Sequence, residues 1–451
     1  MTFRSLTRRR EIGANSYLLE SKRGRFILDA GMHPKEKALD ALPNYNLAAH
    51  DSVDAIFVSH AHHDHIGSLP VAQRRQPRAP VFMTEQTGEV GEAMLHNSVN
   101  VMTSQRESEG ISAYPLFTHG DVDEMRMQWN YRDLRKPFSV PNTDVEAAFF
   151  DAGHILGSSG IQLRVDGKTF FYSGDVNFEN QTIARAADFP IEPVDALVME
   201  TTRGDYQRPA DYTRRGEKEK LAKVIRETFE KNGAVLIPVF ALGKTQELLM
   251  MLHELLQMDL IPKVPVFIGG LSAKITLLYD RYASDSRRSY EGFRIFEDMK
   301  TLVAPRKRRK EIICQPHCIY ALSSGMMSEG TVSNSFAQNF IGAENNTVAF
   351  VGYTDKDTPG AKLRVAKPGD LVTLDPQRGP VKLNCRVESF DFSAHSTRET
   401  ICDYVLKVRP KKLLLVHGDA SAMDWFAQTL SKDLPDTEIV LPEPGQTVAL
   451  W

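Results

Sequence analysis

The chain reads SHAHHDHIGSLP from Ser59 to Pro70, and this stretch is the part of the sequence that is most informative about the fold. Four of its side chains can bind metal and form an H-x-H-x-D-H pattern: His60, His62, Asp64 and His65. The apolar run AIFV directly before it is typical of a strand, so the pattern is expected on the loop that leaves this strand. Imidazole and carboxylate are ligands that Zn²⁺ prefers, and alternate residues of an extended segment point the same way. His60 and His62 can therefore reach one ion, while Asp64 and His65 are offset enough to reach a second.

Three further strand-like runs each end in a residue that can bind metal. They are FFDAGH ending at His154, KTFFYSGD ending at Asp175, and LLLVH ending at His417. Side chains at strand ends converge easily, because a rigid scaffold positions the loops that carry them. Together with the first stretch they make five His and two Asp, enough for two ions if one carboxylate bridges them. The sequence therefore predicts a dinuclear metal site.

This ordered series resembles the metallo-β-lactamase fold, and more narrowly its β-CASP branch of nucleic-acid-cleaving hydrolases. Asp29 in FILDAG, the H-x-H-x-D-H stretch, His154 and Asp175 match the four motifs of the fold. Three further matches are to motifs that the branch adds: Glu200 in METTRG, His395 in FDFSAH and His417 in LVHG. The resemblance spans almost the whole chain. It implies an α/β protein in which an αββα sandwich carries an inserted β-CASP domain, built on a mainly parallel sheet flanked by helices.

The organisation of the chain agrees with an insertion. At 451 residues the chain is longer than one domain usually is. From residue 212 onward, helical apolar spacing alternates with short buried strand patterns, which predicts a parallel-sheet domain. We therefore expect a metallo-β-lactamase domain formed by residues 1–207 and 381–451, and an inserted β-CASP domain formed by residues 208–380. Residues 71–146 carry no pattern to which we can assign chemistry.

Two zinc ions per chain are the expected cofactors. One ion would take His60, His62 and His154, the other Asp64, His65 and His417, with Asp175 and a hydroxide bridging them. By the resemblance, Asp29 orients a ligand, His395 is the general acid, and Glu200 holds the imidazole of His395 in its protonated form. These three residues and Asp64 form the expected catalytic set. Three serines are candidates for contacts with the substrate phosphate: Ser323, Ser324 and Ser393.

Composition excludes several classes of protein. Apolar residues make up 42% of the chain and charged residues 25%, as in ordinary globular proteins. Four Cys are too few for a disulfide framework, so a reducing compartment, the cytoplasm, is expected. The N-terminus lacks the apolar segment of a signal peptide, and no apolar run approaches the roughly 20 residues of a membrane span. No membrane partner is expected.

The net charge of −3 argues against a nucleic-acid partner, because such proteins are often basic. Two local clusters weaken this objection: Arg8-Arg9-Arg10 and the five consecutive basic residues from Arg306 to Lys310. Phosphate contacts need local positive potential and not a basic total. The second cluster is equally well explained as a solvated loop.

The expected activity is that of a zinc-dependent ribonuclease in which the bridging hydroxide attacks an RNA phosphodiester. The alternatives are a DNA nuclease of the Artemis type and a non-catalytic RNA-processing scaffold. His417 favours RNA, because RNA-processing members of the branch carry His at the last motif. The chain ends at Trp451, soon after this motif, which favours endonuclease over 5′-3′ exonuclease activity. Single-stranded DNA is a second candidate partner, and the oligomeric state stays open, a homodimer included.

Overall fold

The computed structural model describes residues 1–299, 301–303 and 312–451. The basic cluster from Arg306 to Lys310 lies outside these residues. Among the helices that the structure describes, none is long and apolar enough to cross a membrane.

The strands are short and are numbered in chain order. They are β1 (Thr2–Ser5), β2 (Tyr17–Ser21), β3 (Gly24–Leu28), β4 (Ala55–Phe57), β5 (Val81–Met83), β6 (Trp129–Tyr131), β7 (Phe138–Ser139), β8 (Glu146–Asp151), β9 (Ser159–Val165), β10 (Lys168–Tyr172), β11 (Ala196–Glu200), β12 (Val235–Pro238), β13 (Val266–Ile268), β14 (Thr301–Val303), β15 (Ile319–Leu322), β16 (Thr347–Phe350), β17 (Leu371–Asp375), β18 (Gly379–Lys382), β19 (Arg386–Ser389), β20 (Lys412–Val416), β21 (Glu438–Val440) and β22 (Thr447–Ala449).

The helices fall between these strands, together with two short 3-10 turns at Ala38–Ala41 and Tyr45–Leu47. They are α1 (His63–Ile66), α2 (Leu69–Arg75), α3 (Glu85–Glu109), α4 (His119–Arg126), α5 (Arg214–Glu230), α6 (Lys244–Gln257), α7 (Gly270–Arg281), α8 (Ile295–Asp298), α9 (Val332–Phe340), α10 (Pro359–Val365), α11 (Arg398–Val408) and α12 (Ala420–Asp433).

The chain divides into two compact units. The first unit comprises Met1–Asn180, Arg185–Arg208 and His395–Trp451, and the second comprises Gln181–Ala184 and Pro209–Ala394. The expected domain bounds of 208 and 380 stay a prediction, and the second compact unit continues to residue 394. The physical reason is that β19 pairs in parallel with β16 and so extends the sheet of the second unit.

The first unit contains two seven-stranded sheets. Their strand orders are β22-β1-β2-β3-β4-β5-β6 and β21-β20-β11-β10-β9-β8-β7. Both sheets are mixed: β3, β4, β5 and β6 run parallel, as do β10, β11, β20 and β21, while the remaining pairs are antiparallel. This agrees with the predicted α/β class.

Alternating apolar residues build a four-layer sandwich from these sheets. Phe26 and Leu28 of β3 pack with Phe170 and Tyr172 of β10 in the core between the sheets. Ile27, between them in sequence, points to the opposite face, where residues of α2 and α3 pack. Side chains of α11 and α12 cover the outer face of the second sheet in the same way. The predicted αββα arrangement is therefore present.

The second unit is built on a six-stranded sheet with the order β14-β13-β15-β12-β16-β19, in which every pair is parallel. Helices α5, α6 and α7 alternate with its strands, and Phe336 and Phe340 of α9 pack on the sheet. The two-stranded hairpin β17–β18 lies beside α9 and α10. The mainly parallel sheet flanked by helices is thus confirmed.

Candidate metal centre

The seven predicted ligands lie together in the first unit as two adjoining clusters. The first cluster is His60, His62, His154 and Asp175, and the second is Asp64, His65 and His417. In each cluster, the candidate ligand atoms all lie within 4.8 Å of one another. Residues separated by more than 350 positions in sequence therefore meet at one point.

Strand direction explains why these residues meet. Parallel strands end at the same edge of a sheet, and Asp175, Glu200 and His417 follow or end β10, β11 and β20. In the other sheet, Asp29 follows β3 and the H-x-H-x-D-H loop follows its parallel neighbour β4.

A glycine allows the loops after β3 and β4 to approach closely. A Cβ atom at Gly31 would lie 1.8 Å from the carbonyl oxygen of Asp64, far inside van der Waals contact. Any larger residue would push the H-x-H-x-D-H loop out of place.

The first cluster has the dimensions of a tetrahedral site. His62 Nδ1 lies 3.2 Å from His60 Nε2 and 3.0 Å from His154 Nε2. Asp175 Oδ2 lies 3.4 Å from His60 Nε2 and 3.5 Å from His154 Nε2. Bonds of about 2.0–2.1 Å to a central Zn²⁺ give tetrahedron edges of about 3.3–3.4 Å. These four donors therefore fit one metal ion.

The second cluster uses the other oxygen of the same carboxylate. Asp175 Oδ1 lies 3.2 Å from His65 Nε2 and 3.4 Å from His417 Nε2. Asp64 Oδ2 lies 3.3 Å from His417 Nε2 and 3.9 Å from His65 Nε2. Asp175 therefore presents one oxygen to each cluster.

The Asp175 carboxylate has an acceptor atom that protein groups do not satisfy. Its Oδ1 is buried and accepts no well-directed hydrogen bond. Orphaned buried acceptors are rare in proteins, since each one costs the desolvation of a polar group. A cation beside Oδ1 removes that cost, so the residues present fit a bound metal.

The electrostatics of the two clusters differ. Burial, followed by the charge of His60, lowers the pKa of His62 to about 3. Burial also lowers the pKa of His417, but the Asp175 charge and the hydrogen bond with Asp64 outweigh it and raise this pKa to about 9. Burial raises the pKa of Asp175, yet the neighbouring imidazoles of His417 and His65 hold it well below its ordinary value. The second cluster therefore attracts positive charge strongly, either as protons or as a metal ion.

Asp29 lies behind the second cluster and is fully buried. Its Oδ2 accepts hydrogen bonds from His65 Nδ1 at 2.7 Å, Ser59 Oγ at 2.8 Å and Tyr172 Oη at 2.6 Å, while Oδ1 accepts from Ser59 N at 2.7 Å. By accepting from Nδ1, Asp29 turns His65 Nε2 toward Asp175 and fixes the ring. These contacts are compatible with the ligand-orienting role that the resemblance implies for Asp29, and the role stays a prediction.

Three residues in supporting positions were not predicted. Thr202 Oγ1 lies 3.0 Å from His417 Nδ1, and Ser59 Oγ lies 3.0 Å from His60 Nδ1. Each hydroxyl thus contacts Nδ1, the ring nitrogen that does not face Asp175. Tyr172 is the third. Each of the three lies within three residues of a predicted site residue in sequence. That proximity is the signal by which sequence reasoning could have identified them.

Glu200 and His395 form a separate pair beside the first cluster. His395 Nδ1 lies 3.1 Å from Glu200 Oε1, and the His395 ring centre lies 4.6 Å from that of His154. Glu200 is buried, whereas the His395 side chain is 23% exposed. Burial raises the pKa of Glu200, but the charge of His395 and the hydrogen bond with it outweigh burial. The net effect is a lowered pKa, which favours the ionised carboxylate. The pair is an imidazole accessible from solvent and anchored by a buried anion.

The three predicted phosphate-contacting serines belong to the second unit. Ser323 and Ser324 follow β15, and Ser324 Oγ accepts a hydrogen bond from Ser328 N at 3.2 Å. The backbone N of Ser393 donates to Asp391 Oδ1 at 3.3 Å. Their contact with a substrate stays a prediction.

Comparisons with known proteins agree with this geometry. Residues 9–91 match the metallo-beta-lactamase superfamily, residues 245–363 the Beta-Casp domain, and residues 380–442 the Zn-dependent metallo-hydrolase RNA specificity domain. The three matches follow the chain in order and cover both compact units.

Several curated proteins are similar over almost the whole chain. Cleavage and polyadenylation specificity factor subunit 3 of Dictyostelium discoideum is 28% identical over 98% of this chain and 56% of its own length. Endoribonuclease YSH1 of Saccharomyces cerevisiae is 27% identical over 93% of this chain and 55% of its own length. The RNase J-like protein of Methanocaldococcus jannaschii is 27% identical over 94% of both chains. The chain thus spans about half the length of the first two relatives.

A solved structure shares the fold. The crystal structure of a protein of unknown function from Enterococcus faecalis superposes with a TM-score of 0.55 at 13% identity, covering 99% of both chains. The matched regions show that the chain carries a metallo-beta-lactamase domain, a Beta-Casp domain and a Zn-dependent metallo-hydrolase RNA specificity domain.

Proposed function

We propose that the chain is a ribonuclease that holds two divalent cations, Zn²⁺ by preference, and hydrolyses RNA phosphodiester bonds. The observation that carries the proposal is the position of Asp175, whose two oxygens face two separate histidine clusters. A carboxylate in that position can bridge two ions. Five imidazoles with two carboxylates form a donor set that favours zinc over magnesium or calcium, which prefer oxygen ligands.

The residues divide between the two ions as the distances suggest. His60, His62 and His154 would hold one ion, and Asp64, His65 and His417 the other. When bound, such a pair of ions supplies a water of lowered pKa and positive charge against the phosphodiester. Asp29, Ser59 and Thr202 hold the ligand imidazoles in the orientation that this chemistry needs.

His395 is suited to protonate the departing ribose oxygen. Its Nδ1 lies 3.1 Å from Glu200 Oε1, and its side chain is 23% exposed, so Nε2 is the ring nitrogen to which we assign the transferred proton. The Glu200 carboxylate, by its contact with Nδ1, holds the ring in this orientation. Proton transfer from a positioned side chain to a leaving group contributes about 10²–10⁴ in rate.

RNA is the favoured substrate because the relatives' names refer to RNA chemistry. They include an endoribonuclease, an RNase J-like protein and a cleavage and polyadenylation factor, and residues 380–442 match an RNA specificity domain. No relative named above is a DNA nuclease, so the Artemis-type alternative is not favoured. The proximity of the seven candidate ligands, together with the Glu200–His395 contact, argues against a non-catalytic scaffold.

The experiment is cleavage of matched RNA and DNA oligonucleotides carrying a label at either the 5′ or the 3′ end. Protein treated with a chelator and then given Zn²⁺ should cut RNA, and Asp175→Ala should not. His50→Ala, which alters an exposed histidine outside the site, is the matched control and should cut RNA like the unaltered chain. Internal fragments would indicate endonuclease activity, and mononucleotides released from the 5′ end would indicate exonuclease activity. Equal cleavage of DNA, or cleavage that survives chelation, would contradict the proposal.

A further inference from the structure

A second group of metal-binding side chains lies on the helices α3 and α4, away from the seven ligands. Glu92 and His96 lie one turn apart on α3, and His119 and Asp123 lie one turn apart on α4. Residues four apart share one face of a helix. Because the two helices pack together, both pairs meet at the contact between them.

The distances place three ligand atoms around one point. His96 Nε2 lies 3.2 Å from Asp123 Oδ1 and 3.9 Å from Glu92 Oε1. The three atoms lie within 4.8 Å of one another. The side chains of His96 and Glu92 are 22% and 23% exposed, so an ion could reach them from solvent while the protein restrains their movement.

His119 sets the orientation of His96. Its Nδ1 lies 2.8 Å from His96 Nδ1, and the rings stack at 26° with centres 5.0 Å apart. Two ring nitrogens at this distance share one proton. When His96 Nδ1 donates it to His119, His96 Nε2 keeps a free lone pair directed at the two carboxylates. A histidine ligand usually donates its other ring N–H to a neighbour in this way.

We propose that Glu92, His96 and Asp123 form a third metal site for a divalent first-row transition ion such as Zn²⁺, with His119 as the residue that positions His96. One imidazole and two carboxylates match the borderline character of these ions and balance their charge. Water would complete the coordination, because Asp123 is 66% exposed. The proposal is independent of the RNA cleavage proposed above.

Arg126 opposes the binding of a metal ion at Glu92, so its removal tests whether affinity for the ion rises. Its guanidinium lies 2.9 Å from Glu92 Oε2 and 3.0 Å from Glu92 Oε1, so it competes with a metal ion for this carboxylate. Arg126→Gln removes the competing charge and should tighten the binding of the third ion. A purely structural role for the cluster predicts no such gain.

The experiment is equilibrium dialysis of the full chain against increasing Zn²⁺, with metal per chain measured by elemental analysis. The unaltered chain should take up one equivalent more than His96→Ala or Asp123→Asn, and His119→Phe should weaken uptake about 10–100-fold. The exposed-histidine variant His50→Ala should match the unaltered chain. Circular dichroism and retention of the tightly bound metal show that each variant is folded.

Two results would overturn the proposal. One is identical uptake by the unaltered chain and by folded His96→Ala. The other is an Arg126→Gln variant that binds the weakest equivalent no more tightly than the unaltered chain does. If RNA cleavage is absent but the extra equivalent is lost in His96→Ala, the third site stands and only the proposed function fails.

Discussion

Asp29 offers a test in which two substitutions at one position should behave differently. The carboxylate is fully buried and accepts four hydrogen bonds, from Ser59 twice, His65 and Tyr172. Its backbone φ is +58°, a conformation that Asn adopts readily and Ala does not. Asp29→Ala leaves four buried donors without an acceptor, which costs about 1–3 kcal/mol of stability for each donor. The positive φ adds about 1–2 kcal/mol of backbone strain. That total rivals the whole stability of a typical protein, so this variant should not fold.

Asp29→Asn should fold but bind metal poorly. The amide oxygen can face the three donors on Oδ2, which leaves its NH₂ group facing the backbone N–H of Ser59. The Ser59 N–H and the introduced amide N–H groups are then buried without an acceptor, at a cost of about 1–3 kcal/mol for each unsatisfied donor. The negative charge behind His65 is also lost, and loss of such a partner typically lowers metal affinity about 10–100-fold.

The assay is competition for Zn²⁺ with a chromogenic chelator, combined with denaturant unfolding of the metal-free protein. Tyr172→Phe is the matched control, because it removes one donor and keeps the carboxylate, so metal affinity should change little. A soluble, folded Asp29→Asn protein with unaltered affinity would refute the role given to Asp29. So would an Asp29→Ala protein of normal stability.

Three further results are expected. The His395→Ala variant should keep its metal, and its rate of RNA cleavage should fall about 10²–10⁴-fold. Its rate of hydrolysis of a nitrophenyl phosphodiester should fall much less, because that leaving group needs little protonation. Equal losses on the two substrates would exclude His395 as a general acid. The pKa of His417 is raised to about 9 and that of His65 is raised as well, whereas the pKa of His62 is lowered to about 3, so a metal must displace protons at the second cluster and not at His62 as the pH is lowered from 8 to 6. Affinity for the second ion should therefore fall about tenfold per unit of pH for each proton displaced, while that for the first stays nearly constant, as titration calorimetry at several pH values can test. In the second unit, Glu247→Ala leaves Arg214 and the backbone N–H groups of Thr182 and Ile183 without their buried acceptor, and should destabilise that unit by about 3–5 kcal/mol in denaturant unfolding.

The convergence of the seven candidate ligands could be predicted because its signals are local, while their binding of metal stays a prediction. The H-x-H-x-D-H pattern needs only six residues, and His154, Asp175 and His417 each follow an apolar run that reads as a strand. The helix α6 likewise begins at Lys244 and ends at Gln257, as apolar spacing and the preceding Gly243 indicate. Local patterns suffice where the residues that matter are close in sequence.

The parts that could not be predicted depend on contacts between distant segments. Helix α3 runs for 25 residues from Glu85 to Glu109, within the range 71–146 to which the sequence assigns no chemistry. Its Asn, Ser and Thr residues have weak helix propensity, and the packing of Leu95, Val99 and Met102 in the core beside the first sheet outweighs that propensity.

The end of the second unit could not be predicted because it also depends on a contact between distant segments. Strand β19 is four residues long, Arg386–Ser389, and carries three polar residues, so only its pairing with β16 reveals it. The α3–α4 cluster of His96 and His119 was missed because its two halves are 23 residues apart and follow no known spacing.

The most direct test of the dinuclear ribonuclease is a titration of the metal-free chain with Zn²⁺ in which RNA cleavage is measured at each point. His96→Ala should be used in parallel, so that uptake at the α3–α4 cluster does not enter the count. Since Asp175 faces both clusters, cleavage should stay low through the first equivalent and reach its full rate only with the second. Full cleavage at one equivalent per chain, with no further rise, would contradict it.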